Sequence, residues 1–249
     1  VYIYCILFLQ MKILYSFPTR SRPNKCFASL NSIEYNSKGE YKVLLKIDSD
    51  DKTMDSFITT MSNDTASNFK ICVALGNSEN KIHAMNRDIN TTNEWDILIA
   101  MSDDMIFEVD GFDEIIKKDM IDNFPDLDGV LHYNDGVQKS NVMTMSIMGR
   151  KYYERFLYIY HPQYTSLWSD VEATEVAYML DKYRYMGNDK ILFRHLHPVW
   201  KLAEWDDQYR KTENPELYEK DKKVFLSRRE NKYGLNPNEI VKEFKYAKI

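Results

Sequence analysis

Two short apolar runs in this 249-residue chain end in clusters of carboxylates. KVLLKI runs into Asp48, Ser49, Asp50 and Asp51, and DILIAM into Ser102, Asp103 and Asp104. Two further runs end differently. KILYSF leads to Pro18, Thr19, Arg20, Ser21, Arg22 and Pro23, and KICVAL to Gly76, Asn77, Ser78 and, a helical turn on, Lys81. Paired carboxylates are hard oxygen ligands for Mg2+ or Mn2+, cations that leave room for substrate phosphates. Guanidinium forks such as those of Arg20 and Arg22 hold diphosphate oxygens in a bidentate manner. No acid precedes Glu34, so this positive patch is undiluted. A metal, a diphosphate and a separate acidic cluster for ribose or base describe a nucleotide-sugar site. Its chemistry is displacement of a nucleoside diphosphate, with metal and arginine taking up charge on the leaving group. Any one cluster also reads as a solvated loop or a helix cap; four together shift the balance.

These clusters act jointly only if the chain brings the four run ends to one place. Through the first 130 residues, strand-length apolar runs alternate with helical patterns. Strands are expected at Lys12–Phe17, Tyr41–Ile47, Phe69–Leu75 and Asp96–Met101. Helices are expected at Pro23–Tyr35, Thr53–Met61, Asn80–Ile89 and Phe112–Ile121. The strands are apolar with little alternation, the pattern of parallel strands covered on both faces. Repeated β-α-β units of this kind build an open, doubly wound α/β sheet. Ligands on such sheets bind beyond the carboxyl ends of the strands, where the polar clusters fall.

Composition narrows the classes. Hydrophobic residues make up 44% and charged residues 29%, so the chain can bury a core and is not a disordered tail. A net charge of −5 is too mild for a nucleic-acid footprint or a polybasic membrane patch. Cys5, Cys26 and Cys72 form neither a disulfide framework nor a zinc knuckle and suit a reducing, cytoplasmic setting. With 8 glycines and none in PTRSRP, the glycine-rich phosphate loop of a nucleotidyltransferase is not expected. The apolar run at residues 1–10 is too short to span a bilayer, which takes about 20 residues, and lacks signal-peptide flanks. It reads as lying upstream of a working start at Met11, or as a peripheral strand. No other stretch reads as a transmembrane helix. Richness in Ile, Asn, Lys and Tyr hints at an AT-rich bacterial or phage genome.

ILYSFPTRSRP, KIDSDD, GNSENKIHAMN and DILIAMSDD together resemble the GT-A fold glycosyltransferases, closest to the inverting family 2. The resemblance covers about residues 11–205. It implies a Rossmann-like, mostly parallel mixed sheet flanked by helices, with a nucleotide-sugar half (11–130), an acceptor half (131–205) and a charged helical C-terminal segment (206–249). It implies Asp104 on the metal and Asp103 on ribose or metal; Ser102-Asp103-Asp104 stands where a strict D-x-D motif would, so the choice of carboxylate stays open. Asp48 and Asp50 are implied near nucleobase and ribose, with Pro18 and Arg20 lining the nucleotide pocket. The donor is a nucleoside-diphosphate sugar, with UDP the family-level lean. The acceptor, whether glycan, protein, lipid or nucleic acid, is not specified.

The second half supplies acceptor-side chemistry. Asp128–Tyr133 and Val142–Met148 read as strands and Tyr153–Leu157 as a helix. Trp168-Ser169-Asp170 then precedes an amphipathic helix. Ser169 or Asp170 caps that helix, with Glu172 favouring its dipole, or the segment matches the family's acidic motif that supplies the base. Inverting transfer needs one carboxylate to take the acceptor hydroxyl proton; Asp170 is the first choice and Glu172 the second. His195 and His197, two apart on an extended segment, point to one side. A C-terminal histidine completes the metal sphere in many GT-A enzymes, which implies His197, with His195 as the alternative, and leans the metal towards Mn2+ over Mg2+. Tyr160, Tyr164 and Trp168 suit either a sugar ring or a core. The charged tail reads as solvated helices packed by Trp205, Tyr209, Leu217 and Phe225, or as a lid over the nucleotide. Two other functions compete with a metal-dependent glycosyltransferase: a non-catalytic domain that binds nucleotide sugars, and a phage-type enzyme that glycosylates modified DNA.

Overall fold

The computed structural model describes residues 10–63 and 70–243. The reading of residues 1–10 as an extension therefore lies almost wholly outside the described residues, as does the start of the expected third strand. In chain order the strands are β1 (Ile13–Thr19), β2 (Tyr41–Asp48), β3 (Ile71–Gly76), β4 (Ile97–Ala100), β5 (Met105–Phe107), β6 (Val130–His132), β7 (Ile147–Gly149), β8 (Tyr183–Tyr185) and β9 (Phe193–His195). The helices are α1 (Pro23–Asn36), α2 (Asp55–Asn63), α3 (Lys81–Asn86), α4 (Phe112–Asn123), α5 (Arg150–Glu154), α6 (Ser169–Met179), α7 (Asp207–Thr212) and α8 (Pro215–Glu230). Seven strands form one sheet in the order β3-β2-β1-β4-β7-β6-β8, and β5 pairs with β9 in a separate ribbon. β1 runs parallel to both β2 and β4, and β2 to β3; β7 is antiparallel to β4 and β6, and β6 is parallel to β8.

Alternation along the strands sorts the core into two layers, because successive side chains leave opposite faces. Ile13, Tyr15, Phe17, Val43, Leu45, Ile47, Ile97 and Ile99 join Leu30 and Ile33 of α1 and Ile116 and Met120 of α4 on one face. Leu14, Leu44, Leu98 and Ala100 join Ile82 of α3, Val176 and Ala177 of α6, and Phe225 of α8 on the other. Both faces are apolar, so the strands read as unbroken hydrophobic runs. β3 departs from that expectation. It is an edge strand, and its Val73 and Leu75 are exposed.

Three expected elements differ in extent or position. Only Ile147–Gly149 of the expected Val142–Met148 strand pairs in the sheet. Upstream of it the Met143 N–H donates to Thr174 Oγ1 of α6 instead of to a strand partner. The expected Asn80–Ile89 helix ends at Asn86, where Arg87 becomes extended and Asp88 turns left-handed (φ 64°). The expected helix at Tyr153–Leu157 starts early, at Arg150 directly after β7, and stops before Leu157 (φ 60°). Among the described residues no helix is long and apolar enough to cross a membrane.

Candidate active site

β1 lies between β2 and β4, so the strand order reverses there and a crevice opens beyond the carboxyl ends of those strands. A cavity of about 460 Å3 occupies it. Pro18, Arg20, Arg22, Asp48, Asp50, Lys81 and Asp103, read from the sequence as donor contacts, all line it, with Asp104 beside them. The loop after β1 turns without glycine because Ser21 itself adopts φ 58°. Asp51 then staples the loops after β1 and β2, accepting from the Ser21 N–H at 2.6 Å and from Thr53 Oγ1 at 2.6 Å. Pro23 opens α1, where its fixed φ suits the first helical turn.

The basic and acidic clusters meet each other in this crevice. Arg20 forks onto Asp50 (2.7 and 2.8 Å) and reaches Asp48 Oδ2 at 2.9 Å. Arg22 bridges Asp103 Oδ1 (3.0 Å) and Asp206 Oδ1 (2.6 Å). On the floor the buried Lys46 ammonium donates to Ser16 Oγ and the Met85 carbonyl, both at 2.7 Å, and burial holds its pKa well below the usual lysine value. Asp103 Oδ2 accepts from Thr19 Oγ1 at 2.8 Å. Burial, with the Asp104 charge beside it, raises the Asp103 carboxyl against the pull of Arg22.

Asp104 differs from its neighbour. Its Oδ2 accepts from the Tyr209 hydroxyl at 3.0 Å and lies 3.5 Å from His195 Nε2, while its Oδ1 is buried without a hydrogen-bond partner. Burial opposes its charge, yet the His195 contact holds the carboxyl well below the ordinary range. The β5–β9 ribbon sets this contact, because Met105 of the strand that follows the acidic motif pairs with His195. Burial likewise opposes charge on His195, but Asp104 and then Asp135 raise its pKa to about 9. Asp135 itself is fixed by the Val137 and Gln138 N–H groups (2.8 and 2.7 Å) and Thr144 Oγ1 (2.9 Å).

The two histidines line the same cavity with ring centroids 5.2 Å apart, yet take different partners. The strand ends at His195, and His197 caps the short 3-10 turn Pro198–Trp200, its Nδ1 accepting from the Val199 N–H at 3.3 Å. Its Nε2 faces Glu213 Oε1 at 2.8 Å. Of the pair, His195 is the one against Asp104. Among the described residues no three His, Cys, Asp or Glu side chains are gathered to hold a metal unaided. The partnerless Asp104 Oδ1, with Asp103 and the His195 ring beside it, still fits a hard divalent cation whose remaining ligands are phosphate oxygens and water.

A second cavity, of about 640 Å3, meets the first at Lys81, Ser102, Asp104 and Glu213. Asp170 and His195 line it. Asp170 stands in the first turn of α6, and its Oδ1 accepts the Val171 N–H at 2.9 Å. Burial raises its pKa, with Lys81 and His195 opposing the rise. Glu172, two residues on, faces elsewhere: Arg228 grips its carboxylate at 2.8 Å and the Tyr164 hydroxyl donates to it at 2.7 Å. Tyr164 and Trp168 are buried core residues, and Tyr160 is buried at the second cavity's edge.

Sequence reasoning read the charged tail as packed helices or as a lid over the nucleotide, and missed Asp206 and the contact of Tyr209 with the acidic motif. Asp206 caps α7, accepting from the Tyr209 N–H at 2.9 Å, and pairs with Lys25 at 2.8 Å as well as with Arg22. The Tyr209 ring lies 3.7 Å from the Arg22 guanidinium, and Gln208, Tyr209 and Glu213 line the first cavity. Asp135 was missed too, although Asn134-Asp135-Gly136 is a turn signal in the sequence.

No protein-family model matches the sequence, and no curated protein does. Solved structures do match. A fragment of S. aureus TarS, residues 1–349 in complex with UDP-GlcNAc, superposes with a TM-score of 0.55 at 14% identity, over 74% of this chain and 58% of that one. The mannosyltransferase PcManGT from Pyrobaculum calidifontis, in complex with GDP-Man and Mn2+, superposes with a TM-score of 0.58 at 10% identity, over 88% of this chain and 75% of that one. This chain thus spans a little over half of the TarS fragment's length. Identities this low speak for architecture, and the mixed, mostly parallel sheet agrees: the chain has the GT-A-like fold of nucleotide-sugar glycosyltransferases.

Proposed function

We propose that the protein is a metal-dependent glycosyltransferase that moves a sugar from a nucleoside-diphosphate donor to an acceptor hydroxyl with inversion. The observation that carries this reading is the meeting of two cavities at Asp104 and Lys81, one lined by the Arg20, Asp48 and Asp50 cluster and the other by Asp170. Arg20, Asp48 and Asp50 would bind the nucleoside, and Lys81 the diphosphate. Asp103, locked by Arg22 and Thr19, orients the acidic motif. Asp104 and His195 would hold Mn2+ or Mg2+, with the imidazole leaning the choice towards Mn2+. When bound, that ion takes up charge on the departing diphosphate. Asp170 takes the acceptor proton; burial keeps its pKa nearer to neutrality, where a base works best. Glu172 is committed to Arg228 and is left out of the reaction. TarS and PcManGT, solved with UDP-GlcNAc and GDP-Man, support a nucleotide-sugar donor, with UDP the first candidate. The free thiols Cys26 and Cys72 suit a reducing, cytoplasmic setting.

A thermal-shift screen of UDP, GDP, CDP and dTDP and their sugar conjugates, with and without Mn2+, tests the donor half, since a ligand stabilises as RT ln(1 + [L]/Kd). A metal-dependent shift with one nucleotide is expected; no shift with any refutes the reading. Asp170→Asn should keep that shift and lose transfer by about 10²–10⁴-fold. Retained transfer would remove Asp170 as the base.

A further inference from the structure

We infer that the acceptor is a neutral saccharide whose ring lies on an aromatic platform made by Trp200, Trp205 and Tyr218. This inference rests on the transferase reading above. Of the four tryptophans, Trp95 and Trp168 are buried in the core, 5% and 7% exposed. Trp200 and Trp205 are 39% and 41% exposed, and both line the cavity that holds Asp170, as does the half-exposed Tyr218. Large apolar rings left in water at one cavity mouth mark a binding surface, because burial elsewhere would have been favourable.

The platform is built rather than loose. Trp200 closes the 3-10 turn capped by His197, and Trp205 sets its edge against His197 and Tyr209, with ring centroids 6.4 and 6.1 Å apart. Behind the rings the wall carries neutral groups, Gln138, Thr144 and Ser166. Ser166 is 6% exposed and its hydroxyl has no hydrogen-bond partner. A pyranose offers the matching surfaces: apolar C–H faces for the rings and a hydroxyl edge for the amide and hydroxyls. An anionic acceptor fits less well, because Asp104, Asp170 and Glu213 bring three carboxyl groups into the cavity against Lys81, 3.9 Å from Glu213, and His195, 3.5 Å from Asp104. Val199 and Leu202 beside the platform are also exposed, so a lipid chain is the class that the experiment must separate.

Intrinsic tryptophan fluorescence of the full chain is titrated with glucose, galactose, N-acetylglucosamine and their disaccharides, and separately with phosphatidylcholine vesicles. The expected result is a saturable change with at least one saccharide, weakened roughly tenfold or more in Trp200→Ala and in Trp205→Ala. Both side chains are exposed enough for the variants to fold, and their nucleotide-induced thermal shift should match the parent's. Silence with every saccharide overturns the inference, and so does a response to vesicles alone. A saccharide response without any nucleotide shift keeps the platform and discards the transferase; a nucleotide shift without a saccharide response does the reverse.

Discussion

Tyr209→Phe removes one oxygen from the crevice and leaves the aromatic ring on Arg22. The hydroxyl donates to Asp104 Oδ2 at 3.0 Å, on a carboxylate that is 7% exposed and whose other oxygen has no partner. A hydrogen bond to a charged group is worth about 1.5–3 kcal/mol. Without it, Asp104 keeps the longer 3.5 Å approach of His195 Nε2 and the help of Ser102. For a chain of this length each kcal/mol moves Tm by about 2–4 °C. The variant should therefore melt roughly 3–12 °C below the parent in EDTA. Mn2+ with UDP should narrow that gap, because the ion would stabilise the Asp104 carboxylate that the hydroxyl's hydrogen bond stabilises in its absence. Scanning calorimetry of both proteins, in EDTA and in Mn2+ with UDP, measures the two gaps. Equal gaps would refute the idea that Tyr209 and a metal serve the same carboxylate. A gap under about 1 °C in EDTA would refute the energetic argument itself.

Two further perturbations bear on the scaffold. Burial holds the His132 imidazole at about 4, below its ordinary 6.5. Between those values the unfolded chain binds a proton that the fold refuses, so the His132 term is fully present above about pH 6.5 and is lost as pH falls towards 4. At about 1.4 kcal/mol per pH unit the window amounts to roughly 3 kcal/mol. Urea unfolding at pH 7 and pH 4 should show this loss in the parent and not in His132→Gln; equal losses would count against it. Arg228→Ala strips the buried Glu172 of its guanidinium partner and should cost about 3–5 kcal/mol. Transfer per folded molecule should survive, since Glu172 lies outside the Asp170 cavity; its loss would bring Glu172 back as the base.

The sheet was legible because its strands announce themselves twice, by apolar runs and by the polar clusters that end them. KILYSF, KVLLKI and DILIAM became β1, β2 and β4 within a residue or two. Two of the three-residue strands were not legible. β5 and β8 are too short for any period to show, and they form because neighbours already stand at the right spacing. The strand expected over Val142–Met148 shows the converse: alternating methionines mimic a strand, but a side chain of α6 takes the backbone donor that pairing would have used.

At the site, the sequence could name the groups but not how they pair. Opposite charges drawn into one crevice neutralise each other before any ligand arrives, so Arg20 and Arg22 line the crevice yet sit clamped on Asp48, Asp50, Asp103 and Asp206. The two histidines stay on extended backbone and line one cavity, but their spacing could not name their partners: His195 meets Asp104 and His197 meets Glu213. Tyr209 was the least legible residue, since 105 positions separate it from Asp104. Its placement brings the tail to the crevice. Asp206 and Glu213 of this segment are spent on Arg22, Lys25 and His197 while Asp207 and Arg210 face solvent, and Tyr209 between them carries a hydroxyl to the acidic motif. A cation at the free Asp104 Oδ1 would thus share its carboxylate with the hydroxyl that α7 supplies to Oδ2.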